Sequence, residues 1–251
     1  MKLVAMSLIL FSYALSLQAD TVDELIRKAD DFHARFLDIQ AVPFYENAVQ
    51  LKDKDAALLI KLTWAYNNAG EDLNSPESQP YYEKAVEAAE KLRILAPTNA
   101  ETFFLLAMSR GNLALLRGGT RKVKLSRILH ADALKSIKLD PLYSPPYAAL
   151  GIYYREVASL NWALRGFAQH VMGGLPKGTL EDSEAAFKKA ISLDPANVYA
   201  QFQLAKTYEA MNQPQKAISQ YQRVLTLPIV DHQCPAMRKS AAAEIKKLST
   251  P

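Results

Sequence analysis

Two apolar patterns with helical spacing near the C-terminal end constrain the fold of this chain more than any other feature. Leu204, Ala205 and Tyr208 form the first pattern, which Asn212 and Pro214 interrupt. The second pattern consists of Ala217, Ile218, Tyr221, Val224 and Leu225. Because apolar residues that recur every three to four positions indicate amphipathic helices, this segment predicts two helices joined by a tight turn.

Small residues occupy the positions at which these two helices would cross. Ala205 and Ala217 allow the two backbones to approach, whereas larger side chains there would hold them apart. Pro228 then prevents a further helical turn. Leucine, small residues, tyrosine and a closing proline at these offsets resemble the tetratricopeptide repeat, which is a pair of helices.

The same pattern recurs upstream in a less regular form. Each predicted repeat unit ends at a proline, and the units span residues 56–97, 100–141, 144–195 and 198–228. Successive closing prolines are 44, 54 and 33 residues apart, whereas about 34 residues separate standard repeats. The first three units therefore carry insertions, which fall near residues 72–80, 111–126 and 155–180.

The sequence predicts an all-α fold with ten to twelve helices and essentially no sheet. The first insertion is polar and predicts a loop, while the other two are apolar and predict extended helix ends and extra helices. Thr21 and Glu24 form a capping-box pattern for a helix expected to run to about Ile39, before Pro43 interrupts it. A last helix over residues 236–248 caps the array. We expect a tetratricopeptide-like right-handed superhelix of about four irregular pairs.

The first twenty residues differ from the rest of the chain. Lys2 precedes an apolar run from Leu3 to Leu17, which is shorter than the roughly 20 residues needed to cross a bilayer. A small residue, Ala19, follows where a signal peptidase would cut. The sequence therefore predicts a signal peptide over residues 1–19 and an exported domain over residues 20–251, periplasmic or secreted. The alternative is an uncleaved N-terminal anchor.

Charge and cysteine content exclude several classes of protein. The formal net charge of +4 is too small to indicate a nucleic-acid partner. Cys234 is the single cysteine, so no intramolecular disulfide and no cysteine-based metal cluster can form. Stability must therefore come from packing.

Basic side chains cluster between Glu101 and Asp132, a stretch that contains no acidic residue. A solvated helix face is one interpretation, and contact with an acidic partner or an anionic lipid surface is the other. We call the cluster the basic patch, and it comprises Arg110, Arg117, Arg121, Lys122, Lys124 and Arg127.

The sequence carries no recognisable catalytic or cofactor motif. The four histidines lack metal-ligand spacing, and the pair Gly118 and Gly119 is not preceded by a strand or followed by a phosphate-binding loop pattern. No acid/base pair or activated nucleophile is evident. We therefore predict no catalytic residues, no metal, no cofactor and no enzymatic activity.

Stacked helical pairs curve, and the first helix of each pair lines the concave surface. Basic and amide side chains on this surface are suited to hold a carboxylate or the backbone of an extended peptide. The apolar members are alternatively core residues. We call these positions the predicted groove residues, and they are Lys61, Trp64, Asn68, Met108, Asn112, Ile152, Arg155, Phe202 and Lys206.

The sequence also resembles one particular family of helical-repeat proteins over most of residues 56–228, and this resemblance is most specific over residues 160–195. The residues that carry it include Gly119, Thr120, Arg121, Lys122, Ala133, Pro141, Leu150, Gly151, Tyr154, Leu160, Trp162, Gly173, Pro176, Thr179, Glu181, Phe187, Ala190, Pro195, Ala205, Lys206, Tyr208, Ala217 and Pro228. The chain resembles the regulator of microtubule dynamics protein family. This resemblance implies a tetratricopeptide-like helical domain that acts through protein contacts without enzymatic activity, with animal members linked to microtubules and organelle membranes. Because we predict export, we do not expect a cytoskeletal partner.

Two functions remain open on the sequence. The first is an exported adaptor whose concave groove binds a protein or peptide. The second is a solute-binding or transport-accessory protein, since the chain is also similar to periplasmic helical-repeat components associated with TRAP transporters. An open charged groove would favour the first, and a deep apolar cavity near Trp64, Trp162 and Phe167 would favour the second.

Overall fold

The structure is a computed structural model that describes residues 21–73, 75–117, 119–172, 174 and 177–250, without the side chains of residues 119–123 and 171–172. The predicted signal peptide lies outside the described residues. Within them the chain forms twelve α-helices and no strand. The predicted all-α fold is therefore confirmed.

The helices follow one another with short connections. Their bounds are α1 Val22–Ala34, α2 Asp38–Leu51, α3 Ala56–Glu71, α4 Gln79–Leu95, α5 Ala100–Arg117, α6 Gly119–Leu139, α7 Pro145–Ala158, α8 Trp162–Met172, α9 Leu180–Leu193, α10 Val198–Ala210, α11 Pro214–Thr226 and α12 Cys234–Leu248. The packed pairs are α1 with α2, α3 with α4, α5 with α6, α7 with α9 and α10 with α11. Helix α8 lies between the two members of the fourth pair along the chain, and α12 packs on α11.

The N-terminal region differs from the prediction of a single helix that Pro43 ends. Helix α1 stops at Ala34, and Phe36 turns the chain with a positive φ of 60°. Pro43 instead lies inside α2, where its missing N–H removes a single backbone hydrogen bond. The buried face of α2, which includes Tyr45, keeps the helix in place against its neighbours. A further pair, α1 with α2, thus precedes those that the sequence indicated.

Small residues allow the helices of a pair to approach closely. Ala205 and Ala217 are fully buried in the last pair. In the pair α7 and α9, a Cβ added at Gly151 would lie 2.7 Å from the ring of Phe187. Contacts this short essentially never occur in proteins, so a side chain at this glycine would force the Phe187 ring or its surroundings to shift.

Tyrosine hydroxyls tie several helices to the preceding one by donating to a carboxylate. Such charge-assisted hydrogen bonds satisfy a hydroxyl whose ring is buried in the core. The donors and acceptors are Tyr45 with Asp30 (2.6 Å), Tyr66 with Glu46 (2.6 Å), Tyr208 with Glu184 (3.0 Å) and Tyr221 with Glu209.

The insertions take the forms that their composition indicated. A loop separates α3 from α4, while α5 and α6 are extended to 18 and 21 residues. Helix α8 buries Ala168 and leaves Trp162 86% exposed. Within the described part of the chain, each helix is too short or too polar to span a membrane.

Candidate functional site

A cavity of about 430 Å³ lies among the first helices of the pairs. Helices α3, α5, α7 and α10 contribute to it, together with the end of α1 and the connection between α11 and α12. Its walls are largely apolar and include Phe36, Trp64, Phe104, Met108, Leu115 and Ile152. The first helices of different repeats thus converge on one space.

The connection between α11 and α12 crosses this space, and we call residues 227–233 the closing loop. Gln233 donates a hydrogen bond to the Glu71 carboxylate of α3, 162 positions earlier in the chain. His232 Nε2 lies 3.2 Å from Glu71 Oε2 and 3.8 Å from Asp72 Oδ1. The closing loop therefore joins the C-terminal end of the array to its N-terminal half.

Carboxylates gather where the closing loop meets α3. Asp38 is fully buried, and its two oxygens lie 2.6 Å from His33 Nδ1 and 3.0 Å from the donating Asn68 Nδ2. Glu71 also accepts a hydrogen bond from Asn112 Nδ2 at 3.1 Å. We call this region the acidic end of the cavity. His33, Glu71, Asp231 and His232 line the cavity there, while Asp38 and Asp72 lie beside the two histidines and outside the lining.

The charges of the acidic end change the protonation of its members. Burial lowers the pKa of His232, but the nearby carboxylate of Glu71 and the charges of Asp72 and Asp231 outweigh it, so this pKa is raised above its ordinary value of 6.5. The hydrogen bond to Asp38 raises the pKa of His33. Burial also raises the pKa of Asp72. The described lining contains two carboxylates, Glu71 and Asp231, two histidines, and neither lysine nor arginine.

The predicted groove residues divide into two sets. Five line the cavity, and these are Trp64, Asn68, Met108, Asn112 and Ile152. The two asparagines direct their amide groups to Asp38 and Glu71, as described above. The indole N–H of Trp64 donates to Glu101 at 2.8 Å, which fixes the ring in the wall.

The remaining predicted groove residues lie outside the cavity lining, and the cations among them are engaged within the chain. Lys61 pairs with Asp30 at 2.7 Å. Arg155 donates to the Gln203 carbonyl oxygen at 2.8 Å. Lys206 lies over the ring of Phe202, 6.0 Å from its centroid. Lys61 and Arg155 thus direct donors to groups within the chain, whereas Lys206 is exposed and makes only a ring contact.

The expectation that the basic patch lacks counter-charges is wrong for two of its members. Arg110 pairs with Glu90 and Asp132, and Arg117 pairs with Glu83. Two of these three carboxylates lie on α4, which packs against α5 and therefore reaches the patch from another part of the sequence. The patch also contains Lys124 and Arg127, both exposed, and Arg121 and Lys122, whose side chains lie outside the described residues.

A deep apolar cavity near Trp64, Trp162 and Phe167 was expected to favour a solute-binding protein over an adaptor, and the structure meets this criterion in part. The cavity is apolar around Trp64, but Trp162 is exposed and Phe167 does not line it. The sequence pattern did not indicate Glu71, Tyr199, His232 or Gln233. Glu71 lies one helical turn beyond Asn68, so the helical spacing that indicated Asn68 could also have indicated Glu71. The closing loop is not helical, so no such spacing could indicate its residues.

Among the described residues, histidine, cysteine, aspartate and glutamate side chains form no group of three or more that could hold a metal ion. The histidines of the acidic end are used instead in pairs with carboxylates, His33 with Asp38 and His232 with Glu71.

Helical pairs that cross at small residues, with first helices lining a shared cavity, define a tetratricopeptide-like helical-repeat protein. The sequence model of the family described as regulator of microtubule dynamics protein 1-3 matches residues 25–249. The chain belongs to this family.

Two known proteins illustrate the likeness. Regulator of microtubule dynamics protein 3 from Xenopus laevis is 26% identical over 206 residues, which cover 78% of this chain and 44% of that protein. The chain thus spans less than half the length of this relative. The crystal structure of TTC0263, a thermophilic TPR protein of Thermus thermophilus, is 18% identical with a TM-score of 0.66 and covers 89% of this chain and 100% of its own. This second likeness supports the fold.

Proposed function

We propose that the chain is an exported, non-enzymatic scaffold that binds a protein or peptide, with an apolar side chain of the partner inserted in the cavity. The observation that carries this proposal is the cavity of about 430 Å³ among the first helices. Concave, largely apolar sites with a few placed polar groups are typical of binding sites. Helical repeats generally bind along the surface that their first helices form.

The apolar walls account for affinity in this proposal. Burying one large apolar side chain contributes about 1.5–3 kcal/mol, and an aromatic wall adds contact area. Trp64 and Phe104 supply such a wall, with ring centroids 5.6 Å apart. A partner that inserts an apolar anchor gains more here than one that lies across the surface.

Export is proposed from the sequence of residues 1–19, which lies outside the described residues. The test is the N-terminal mass of the protein recovered from cells, which we expect to begin at Asp20. Recovery of the chain from the cytoplasm with Met1 intact would contradict export. The relative's name refers to microtubule dynamics, and our proposal does not include that role because export would separate the chain from a cytoskeleton.

A second candidate function is a solute-binding or transport-accessory protein that holds a small apolar ligand. The closing loop favours it, since a loop that crosses a cavity encloses a small molecule better than it admits a chain. The two functions differ in what occupies the cavity, and one experiment distinguishes them.

The experiment selects ligands from a displayed random peptide library and measures their affinity by the fluorescence of Trp64. A Trp162→Phe background leaves Trp64 as the single tryptophan, because the sequence contains two. Ala149→Phe fills the cavity from a half-buried lining position, and Ala242→Phe adds the same ring at an exposed position of α12.

We expect Ala149→Phe to weaken binding about tenfold or more, equivalent to about 1.4 kcal/mol, while Ala242→Phe leaves it unchanged. Equal binding by both variants would place the peptides elsewhere and overturn the proposal. Failure to select any peptide, together with a change in Trp64 fluorescence on adding a small apolar compound, would support the second candidate.

A further inference from the structure

The acidic end gives the cavity a direction, with an apolar wall on one side and carboxylates on the other. Glu71 and Asp231 line the cavity and Asp38 and Asp72 lie beside it, so four carboxylates surround the two imidazoles of His33 and His232. Even with both imidazoles protonated, negative charge is in excess. Lysine and arginine are absent from the described lining, and Lys61, whose charge reaches His33, is paired with Asp30.

The carboxylates of the acidic end differ in how many hydrogen bonds they already accept within the chain. Asp38 is fully buried between His33 and Asn68. Glu71 accepts from Asn112 and Gln233. Asp72 is the most open of the three, with a side chain 33% exposed and its nearest imidazole nitrogen 3.8 Å away, beyond hydrogen-bond distance. Asp72 therefore has unused capacity to accept hydrogen bonds from a cation.

We propose that the partner is a peptide in which an apolar side chain is followed by a lysine or arginine, with the apolar group against the Trp64 wall and the cation at the acidic end. This inference rests on the proposed function, since it specifies the partner of the same cavity. It reverses the expectation from the sequence, in which the cations Lys61, Arg155 and Lys206 held a partner's carboxylate.

Electrostatics separate this partner from an acidic one. A carboxylate brought to the acidic end would meet like charges within a partly dry site, where the interaction is stronger than in water. Crowding is already evident in Asp72, where burial, with the charges of Asp38 and Glu71, raises the pKa. A cation relieves that repulsion, and the rings of Trp64 and Phe104 are also compatible with a cation nearby.

The test uses four capped tetrapeptides and the full chain in the Trp162→Phe background. The parent peptide places phenylalanine before lysine. The second and third peptides replace the lysine with glutamate or glutamine, and the fourth replaces the phenylalanine with alanine. Binding is followed by Trp64 fluorescence at about 0.15 M salt, where exposed charges are screened within about 8 Å.

We expect the lysine peptide to bind about tenfold more tightly than the glutamate peptide, with the glutamine peptide between them. Asp72→Lys should abolish this preference. The matched control Asp53→Lys makes the same charge change at an exposed residue between α2 and α3 and should retain the preference. If Asp72→Lys perturbs folding, as judged by circular dichroism, the milder Asp72→Asn should still reduce the preference.

The outcomes separate failure of this inference from failure of the proposed function. Equal affinity for the lysine and glutamate peptides, with the loss on replacing phenylalanine preserved, would overturn the charge assignment and leave the apolar cavity as the binding site. Unchanged preference in Asp72→Lys would do the same. Peptide binding that neither phenylalanine replacement nor Ala149→Phe affects would overturn both. Tighter binding of a simple long-chain amine than of any peptide would overturn the peptide partner.

Discussion

The last helical pair and the pair before it make the same kind of packing contact across very different lengths of chain. Residues 211–213 join α10 to α11, whereas residues 159–179, which include α8, separate α7 from α9. Small residues are buried in both pairs: Ala205 and Ala217 are fully buried in one, and Gly151 lies against the ring of Phe187 in the other. The contact at the crossing therefore defines a pair, and the connection is free to vary because longer loops cost little extra entropy.

The largest expected effect comes from removing the crossing contact of the interrupted pair. Phe187 is fully buried, so Phe187→Ala leaves a cavity and should lower the free energy of unfolding by about 3–5 kcal/mol. Urea denaturation followed by circular dichroism measures this loss. Trp162→Ala in the inserted α8 is the control, and we expect a change within about 0.5 kcal/mol because that side chain is 86% exposed. A larger loss from the α8 variant would show that the insertion, rather than the crossing, holds the pair.

A second test compares two helical glycines. Gly151→Ala forces a shift of the Phe187 ring and should cost about 1–3 kcal/mol of unfolding free energy. Gly166→Ala in α8 meets no atom within 4 Å and should stabilise the protein by up to about 1 kcal/mol, since alanine favours the helix. Effects of the same sign and size in thermal denaturation would contradict the role assigned to the close approach at Gly151.

A third test concerns how α9 begins after the insertion. Thr179 accepts a hydrogen bond from the Asp182 amide at 3.0 Å, and the Asp182 side chain accepts in return from the Thr179 amide. Thr179→Ala should therefore destabilise the protein by about 1 kcal/mol, and Thr179→Ser should retain most of the cap. Equal stability of the alanine and serine variants in urea would show that α9 starts without its capping box.

The smallest expected effect belongs to the closing loop, a contact that no helical pair requires. Burial opposes the attraction of the carboxylates for the His232 imidazole, but the pKa of His232 is raised. A raised folded-state pKa stabilises the protein fully below the ordinary value of 6.5, and this stabilisation is lost as pH rises through the folded-state value.

His232→Asn should therefore be less stable than the parent at about pH 5.5 and closer to it at about pH 8.5. Urea midpoints of both proteins at the two pH values measure the difference. His33 has the same direction of shift and His130 the opposite one, and both remain in each protein, so the comparison isolates His232. A difference that grows with pH would contradict the charge pairing of the closing loop.

Much of the fold followed from the sequence because periodicity and small residues act locally. The last pair was evident from Leu204 to Leu225, and the apolar insertions correctly indicated extra helix. Pro43 was misjudged because proline is tolerated where a helix loses one hydrogen bond and its buried face still packs. Phe36 has a positive φ and separates α1 from α2. This turn was not predicted because glycine, the residue that usually adopts a positive φ, is not at this position.

Less of the candidate site was predictable. Trp64, Asn68, Met108, Asn112 and Ile152 were found because they repeat at equivalent positions of the first helices. The ion pairs were not predicted, because the counter-charges of Arg110 and Lys61 come from other helices. From the sequence alone, both cations were expected to be free for a partner. The acidic end combines α3 with a loop 162 positions away, a juxtaposition that spacing along the chain does not encode.

In an array that touches only its neighbours, terminal units fray one at a time. The hydrogen bond from Gln233 to Glu71 and the ion pair of His232 with Glu71 change that behaviour here, since the start of α12 is held by a helix near the other end of the array. Detachment of the C-terminal helix and access to the interior space become a single opening reaction. Amide hydrogens of α12 and of the loop before it should accordingly exchange together, and an occupant of the cavity should slow both.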